Sequence, residues 1–479
     1  MPSTEIDPAA TGLLPQVREA PATGNTATPP SAGRAGLHLA ELMAALSHAL
    51  DLTEGQPPGH CIRCCFIGMR MADVLGLPEQ ERRALYYTLL LKDLGCSSNA
   101  ARICELYLAD DLAFKQRFKT VGPDLPSTLG FVFRETGTLA GWGARLKAIA
   151  QVLRKGGDMA QELILTRCTR GADIARQLRF DDSVANGIHG LDEHWDGSGR
   201  PGRLAGEAIP FASRVALLAQ VIDVFHTGGG PEEAMAEVAR RKGGWFDPAL
   251  CEVFKTVASD RSFWVLLAAP GEVLEDHVLA LEPARVEHPL DDDYLDDIAA
   301  AFGSIVDAKS PYTAGHSQRV GRIADGIARR LGMTESDRRS LRRGALLHDV
   351  GKLGVSNAIL DKPGKLDDSE WAAVRRHAEF TESILGRIGP MRTMARMAAA
   401  HHEKLDGSGY PLGLDASRIA LPTRIITTAD IFDAINAARP YRGATPVDRT
   451  LEIMQGQVGT ALDPACVDAL RVLLREEEV

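Results

Sequence analysis

His316, the doublet His348-Asp349, His377, the doublet His401-His402 and Asp430 lie on separate segments of the chain, most of them helical in pattern. Side chains this far apart in sequence reach one point only if several helices cross a common interior. These seven positions therefore constrain the fold to a helical bundle with a polar, ligand-lined centre. The apolar periodicity agrees. Val320, Ile323, Ala324, Ile327 and Leu331 make one stripe between Ala314 and Leu331, which stops at Gly332. Further helices are predicted over Leu341–Asp349, ended by Gly351, and after Asp367, which has Glu370 three residues on as a capping pair. Two more are predicted over Met391–Glu403 and Thr423–Ala438, the last entered after Pro422.

Imidazole and carboxylate ligands suit Fe, Mn, Zn or Ni rather than Mg alone. Seven are too many for one ion; they suit two, with Asp349 placed to bridge. Such a pair activates water at neutral pH and holds phosphate oxygens. Lys352 stands one turn beyond Asp349, where its ammonium can stabilise charge developing on a phosphate. A single His on an apolar helix is most often a hydrogen-bonded core or surface group. Five separated positions fitting one ordered template are a different matter.

The series His316…His348-Asp349-Val350-Gly351-Lys352…His377…His401-His402-Glu403-Lys404-Leu405-Asp406-Gly407-Ser408-Gly409-Tyr410-Pro411…Asp430 resembles the HD-GYP family, a branch of the HD-domain phosphohydrolases. The HD doublet alone is shared by many hydrolases. The HHExxDGxGYP run is more specific, with Ala429-Asp430-Ile431-Phe432-Asp433-Ala434 and Arg439-Pro440-Tyr441-Arg442 after it. The match covers residues 291–479. The resemblance implies a two- or three-metal centre that hydrolyses cyclic di-GMP to linear pGpG, and often on to GMP. It makes His316, His348, Asp349, His377, His401, His402 and Asp430 the metal ligands, and sets Lys352 against the scissile phosphate. Some members hold a third metal with a Glu four residues before the first His. Tyr312 stands there in this chain, so two divalent ions are expected, Fe or Mn. Asp433, Arg439 and Arg442 match positions that contact or frame the substrate; guanidiniums also suit phosphate in their own right. The turn Gly407, Gly409, Tyr410, Pro411 allows close backbone approach to a ligand. In the family it also contacts partner proteins. Tyr410 suits stacking on guanine, or plugging the loop against the core.

The first half repeats this pattern with its ligands changed. Gly59-His60 resembles Gly315-His316, and Leu89 to Cys96 resembles Ala345 to Lys352; His and Asp lie 33 positions apart in both copies. Glu193 to Pro201 resembles Glu403 to Pro411 at an offset of 210, which holds through Arg214/Arg424 and Asp223/Asp433. The first copy keeps His60 and Asp93. It has Lys92 for His348, Cys96 for Lys352, Arg167 for His377, Leu191 and Asp192 for His401 and His402, and Gln220 for Asp430. Charged Lys and Arg offer a metal no lone pair, so this copy is expected to hold no dinuclear centre. About 46 extra residues fall near 100–145. A regulatory pocket in which Lys92 and Arg167 bind an anion, and a scaffold or dimer surface, are both open roles for it.

The expected architecture is all-α: a disordered tail rich in Pro, Ala, Thr and Gly over 1–35, a degenerate HD-like domain over 36–274, a charged link over 275–290, and a catalytic HD-GYP domain over 291–479. A chain of 479 residues, 45% hydrophobic, exceeds one core. Its formal charge of −10 argues against coating long nucleic acid. No leader and no run of 18 apolar residues is evident, and the eight cysteines show no secreted-type pairing. A cytoplasmic protein without membrane contact is expected. Cys61, Cys64 and Cys65 suggest half of a zinc site, but no second pair follows at a matching spacing. The leading expectation is a cyclic di-GMP phosphodiesterase, with homodimerisation open. The alternatives are a scaffold or cyclic-dinucleotide-binding module with little turnover, and a hydrolase of another nucleotide.

Overall fold

The computed structural model describes residues 37–122, 124–283, 290–438 and 443–477. The tail expected over 1–35, the 284–289 part of the expected link, and Arg439 and Arg442 lie outside them. Among the described residues there are helices, turns and three isolated bridges, and no strand. The all-α expectation holds.

In the first copy, α1 (Leu39–Thr53), α2 (His60–Leu75) and α3 (Glu79–Leu91) form a bundle. Gly59 enters α2 with φ 84° and Gly76 leaves it with φ 60°, a region open to glycine at little cost. Next come α4 (Ala100–Tyr107), α5 (Asp111–Phe118) and α6 (Leu125–Glu135), the segment expected as an insertion. They pack on the N-terminal two-thirds of α7 (Trp142–Gln177) through their own apolar cluster of Ile103, Tyr107, Phe114, Phe131, Val152 and Met159. One continuous helix thus carries the chain from the extra segment to Arg167, and no break marks the expected boundary at 145. Then follow α8 (Asp182–His189), α9 (Phe211–Arg241), α10 (Pro248–Ala258), α11 (Arg261–Leu267) and α12 (Gly271–Ala280). The Gly228–Gly230 punctuation is a kink within α9, at Gly230 (φ 82°) before Pro231. Helix α12 runs on past 274, where the link was expected to begin. Its acidic residues disguise Leu274 and Val278, which are buried, and Tyr86 donates to the Val278 carbonyl at 3.2 Å.

The second copy comprises α13 (Asp292–Asp307), α14 (His316–Arg330), α15 (Glu335–Leu347), α16 (Asn357–Leu360), α17 (Asp368–Leu385), α18 (Arg392–Ala399), α19 (Leu421–Asn436), α20 (Val447–Gln455) and α21 (Pro464–Glu477). Asp291 caps α13 by accepting from Tyr294 N–H at 2.7 Å, and Asp367 with Glu370 forms the expected capping box on α17. Helix α18 stops at Ala399 rather than Glu403, so both imidazoles of the 401–402 doublet leave the helix. The two copies share a core: Leu42, Leu46 and Phe66 of the first belong to one apolar cluster with Ile298, Phe302, Leu347 and Leu385 of the second. A second cluster, Val320, Ile327, Ile425, Phe432 and Leu470, lies within the second copy. No helix among the described residues is long and apolar enough to cross a membrane.

Candidate metal centre

Each candidate ligand of the second copy is held in place by the fold itself. Gly315 (φ 68°) turns the chain so that His316 opens α14. The Asp307 carboxylate accepts from Ser317 Oγ at 2.7 Å, and Arg319 Nη1 donates to the Ala314 carbonyl at 2.8 Å. His348 and Asp349 follow α15, and the 3-10 turn Val350–Gly354 carries Lys352 away. Thr381 Oγ1 on α17 accepts from Gly351 N–H at 3.0 Å and donates to the His348 carbonyl at 3.1 Å. Gly351 lies so near the His377 carbonyl that a Cβ there would collide with it. Thr427 on α19 donates to the His401 carbonyl at 2.7 Å, one turn before Asp430.

These contacts bring all seven sequence-derived ligands together. His316, His348 and Asp430 form one group and His377, His401 and His402 another, with ligand atoms within 4.8 Å of one another in each. Asp349 lies between them. Its Oδ2 faces His348 at 3.3 Å and His316 at 3.7 Å; its Oδ1 faces His377 at 3.6 Å and His401 at 3.7 Å. That is the disposition of a carboxylate bridging two cations. The imidazoles are oriented from behind. His348, His377 and His401 each donate Nδ1–H to the carbonyl three residues earlier, at 2.7, 2.5 and 2.6 Å. His316 donates Nδ1–H to Asp433 at 2.7 Å, a carboxylate–histidine pair of the kind that supports metal ligands. The Nε2 atoms of these four imidazoles therefore point inward. The Nε2 atoms of His348, His377 and His401 and Oδ1 of Asp349 are buried without a hydrogen-bond partner among the described residues. Buried polar atoms left without a partner are costly unless a ligand takes them, so these residues fit divalent cations.

The electrostatics agree. Burial pushes His377 down to about 4 and, with His377 beside it, His402 down to about 3, keeping both as neutral donors of a lone pair. Burial also opposes charge on His348, but Asp349 and Asp430 outweigh it and hold the ring up at about 10. Asp349 and Asp430 are held well below the carboxylate range by the surrounding cationic groups, against their burial. On the His316–His348 side, imidazoles that favour the protonated form are thus paired with carboxylates, and an entering cation would displace protons there.

Lys352 Nζ donates to Asp349 Oδ2 at 2.5 Å with its side chain partly exposed, at the edge of the ligand set. Asp433, expected to frame the substrate, is buried behind His316 and takes the Arg319 guanidinium as well. Tyr410 packs its ring 4.7 Å from that of His402, and the exposed Arg375 lies over its outer face at 5.4 Å. Gly409 is pressed against the backbone of 402–404, leaving no room for a side chain. Glu403 ties the turn by accepting from Leu412 and Leu414 N–H at 2.6 and 2.8 Å. Sequence reasoning missed Asp307 and Arg319. The repeat carried the signal, since Asp51 and Arg63 precede and follow His60 at the same spacings.

The first copy repeats the scaffold. His60 Nδ1 donates to Asp223 at 2.6 Å, Arg63 also bonds Asp223, and Gly95 abuts the Arg167 carbonyl as Gly351 abuts that of His377. Its centre, however, is filled. The Lys92 ammonium, 2% exposed, donates to Asp93, to His60 Nε2 at 3.0 Å and to Gln220 Oε1 at 3.2 Å. Arg167 pairs with Asp192, and Lys119 with Glu54 at 2.8 Å. The cations expected to offer an anion pocket are therefore neutralised within the protein. Cys64 and Cys96 lie near His60 and Asp93, but burial pushes both thiols up, away from the thiolate a metal needs. Burial likewise raises the Cys61 and Cys65 thiols, and neither belongs to a group of potential metal ligands among the described residues.

Comparison with known proteins agrees with the geometry. A family model described as the HD domain matches residues 139–250 and 301–466. The chain is 58% identical over 436 residues to 3'3'-cGAMP-specific phosphodiesterase 3 of Vibrio cholerae, covering 91% of this chain and 94% of that protein. It is 39% identical over 160 residues to the cyclic di-GMP phosphodiesterase response regulator RpfG of Xanthomonas campestris, covering 33% of this chain and 42% of that one. The crystal structure of a V. cholerae cyclic GMP-AMP-specific phosphodiesterase superposes with a TM-score of 0.64 at 52% identity, over 92% of this chain and 98% of the other. With a family match in both halves and a relative aligned along nearly its whole length, the chain belongs to the HD-domain family, as a member of its HD-GYP branch.

Proposed function

We propose that the second copy hydrolyses a phosphodiester bond of a cyclic dinucleotide, and that 3'3'-cGAMP is the preferred substrate. The observation that carries this reading is Asp349, with one oxygen toward each histidine group and inward-facing imidazoles around it. His316, His348, Asp349 and Asp430 would hold one cation, and His377, His401, His402 and Asp349 the other. Bound there, the two ions would supply activated water and charge neutralisation at the phosphate. The chain's own residues do the rest. Asp433 and the backbone carbonyls fix the imidazole rings. Lys352 adds a cation at the edge of the set, where a phosphate oxygen would approach. The Tyr410 ring, packed on His402, would offer a nucleobase its outer face once the exposed Arg375 side chain moves aside, and Arg439 and Arg442 supply cations for phosphate by resemblance. The cGAMP preference is supported by the relative aligned over 91% of the chain; the relatives named for cyclic di-GMP align over about a third. The substrate read from sequence motifs, cyclic di-GMP, becomes the second candidate.

The test is turnover of the two cyclic dinucleotides at equal concentration, with Mn²⁺ or Fe²⁺ under reducing conditions. Linear product forms from both, with kcat/KM higher for 3'3'-cGAMP by about tenfold or more. Equal or better use of cyclic di-GMP overturns the preference. Binding without turnover of either overturns the hydrolase reading in favour of a binding module.

A further inference from the structure

The degenerate copy sends one buried carboxylate into the other copy. Asp111, the first residue of α5, has no exposed surface. Its Oδ1 accepts from Asn357 N–H at 2.8 Å and Ser356 Oγ at 3.1 Å, and its Oδ2 faces the buried Lys309 ammonium at 3.5 Å. Burial alone would raise this carboxyl, but Lys309, Lys115 and the Asn357 and Ser356 donors hold it below its usual range. All three partners lie on segments that carry ligands. Ser356 and Asn357 follow the 3-10 turn that starts at Asp349 and bears Lys352. Lys309 lies in the loop from α13 to His316. Asn357 Nδ2 closes the triangle by donating to the Lys309 carbonyl at 2.6 Å and to Asp361 at 2.8 Å; Ser310 Oγ donates to the same Asp361 at 2.6 Å.

We propose that Asp111 is a positioning residue for hydrolysis: the degenerate copy serves the active one by pinning the far end of the segment 349–357 and the loop before His316. One end of the segment is held at the metal centre by Asp349. Without Asp111 the other end keeps its packing against the first copy, such as Gly354 beside Leu52, but loses the hydrogen bonds that Ser356 and Asn357 donate to it. Misplacing a catalytic group by an ångström costs far more in rate than in binding. This gives the first copy a role its filled centre does not.

Two variants separate positioning from folding. Asp111→Ala removes the acceptor and the charge; Asp111→Asn removes the charge but keeps an acceptor for Asn357 and Ser356. The expected result is a fall in kcat per folded molecule of about tenfold or more for Asp111→Ala and clearly less for Asp111→Asn, with KM changed less than about twofold in both. Amide hydrogen exchange read on the same proteins should quicken over 350–361 in Asp111→Ala, with the core helices α2 and α14 unchanged. Equal kcat per folded molecule in all three proteins, or exchange that quickens uniformly, overturns the proposal. The kinetic arm rests on the hydrolase reading; the exchange arm does not, so failure of that reading leaves the positioning claim still tested.

Discussion

Lys92 and His348 stand at matching positions, and each faces a His and an Asp that match in turn. In the second copy His348 Nε2 makes no hydrogen bond to them; in the first the Lys92 ammonium bonds both. Lys92 thus occupies the first copy as an internal cation. His60 stays neutral there, driven down by burial and by Lys92 and Lys119, and so accepts at Nε2 while donating at Nδ1. Replacing Lys92 by Met leaves Asp93 buried without its main partner. Thermal melting is expected to show a loss of about 3–5 kcal/mol, the usual cost of breaking one side of a buried pair. Arg167 and Gln220 still stand where the second copy has His377 and Asp430, and a guanidinium offers a metal no lone pair, so the variant gains no metal by elemental analysis; an unchanged melting temperature or a gain of metal contradicts this account. The exchange of His348 for Lys92 was legible in the alignment of the copies. The internal pairing of Lys92 and Arg167 was not, because a lone sequence cannot say whether Asp192 or an outside anion meets the guanidinium.

At the scale of elements, the periodic helices were readable: α14, α17 and α19 fall within a few residues of expectation, because an apolar stripe and a capping residue mark each. Helix α12 and the continuity of α7 were not, since charged or glycine-rich surface turns mask short buried stripes. The join between α1 and α5 is electrostatic. Glu54, which caps the C-terminal end of α1, meets Lys119 at 2.8 Å and Lys115 at 3.8 Å. Burial alone would raise its carboxyl, but the two lysines bring it down from 4.5 to about 2. A folded-state value below the unfolded one stabilises fully above pH 4.5, and that stability is lost as pH falls toward 2. Urea unfolding of the wild type and Glu54→Gln should therefore differ most near neutral pH, and the gap should narrow steadily below about pH 4.5. A gap independent of pH means the carboxylate charge does not hold α5 in place.

Over the whole molecule, the tandem origin was written in constant offsets between the copies, and the seven candidate ligands, which the fold brings together, in the motifs of the second copy. The common core was not: Leu42 or Ile298 announces burial but not its partner. Nor was Asp111, an ordinary helix-start aspartate in sequence that proves to be shared between copies. One consequence is that the two copies fold around each other, while the chemistry is assigned to one. Metal content and turnover of the same protein test that assignment directly. Wild type and Asp349→Ala are loaded with Mn²⁺, freed of excess, counted for metal per chain and given 3'3'-cGAMP. The account predicts about two ions per wild-type chain with linear product, and less than about one ion with no product in the variant. Product at the wild-type rate from Asp349→Ala, or two ions retained without the bridging carboxylate, would contradict it.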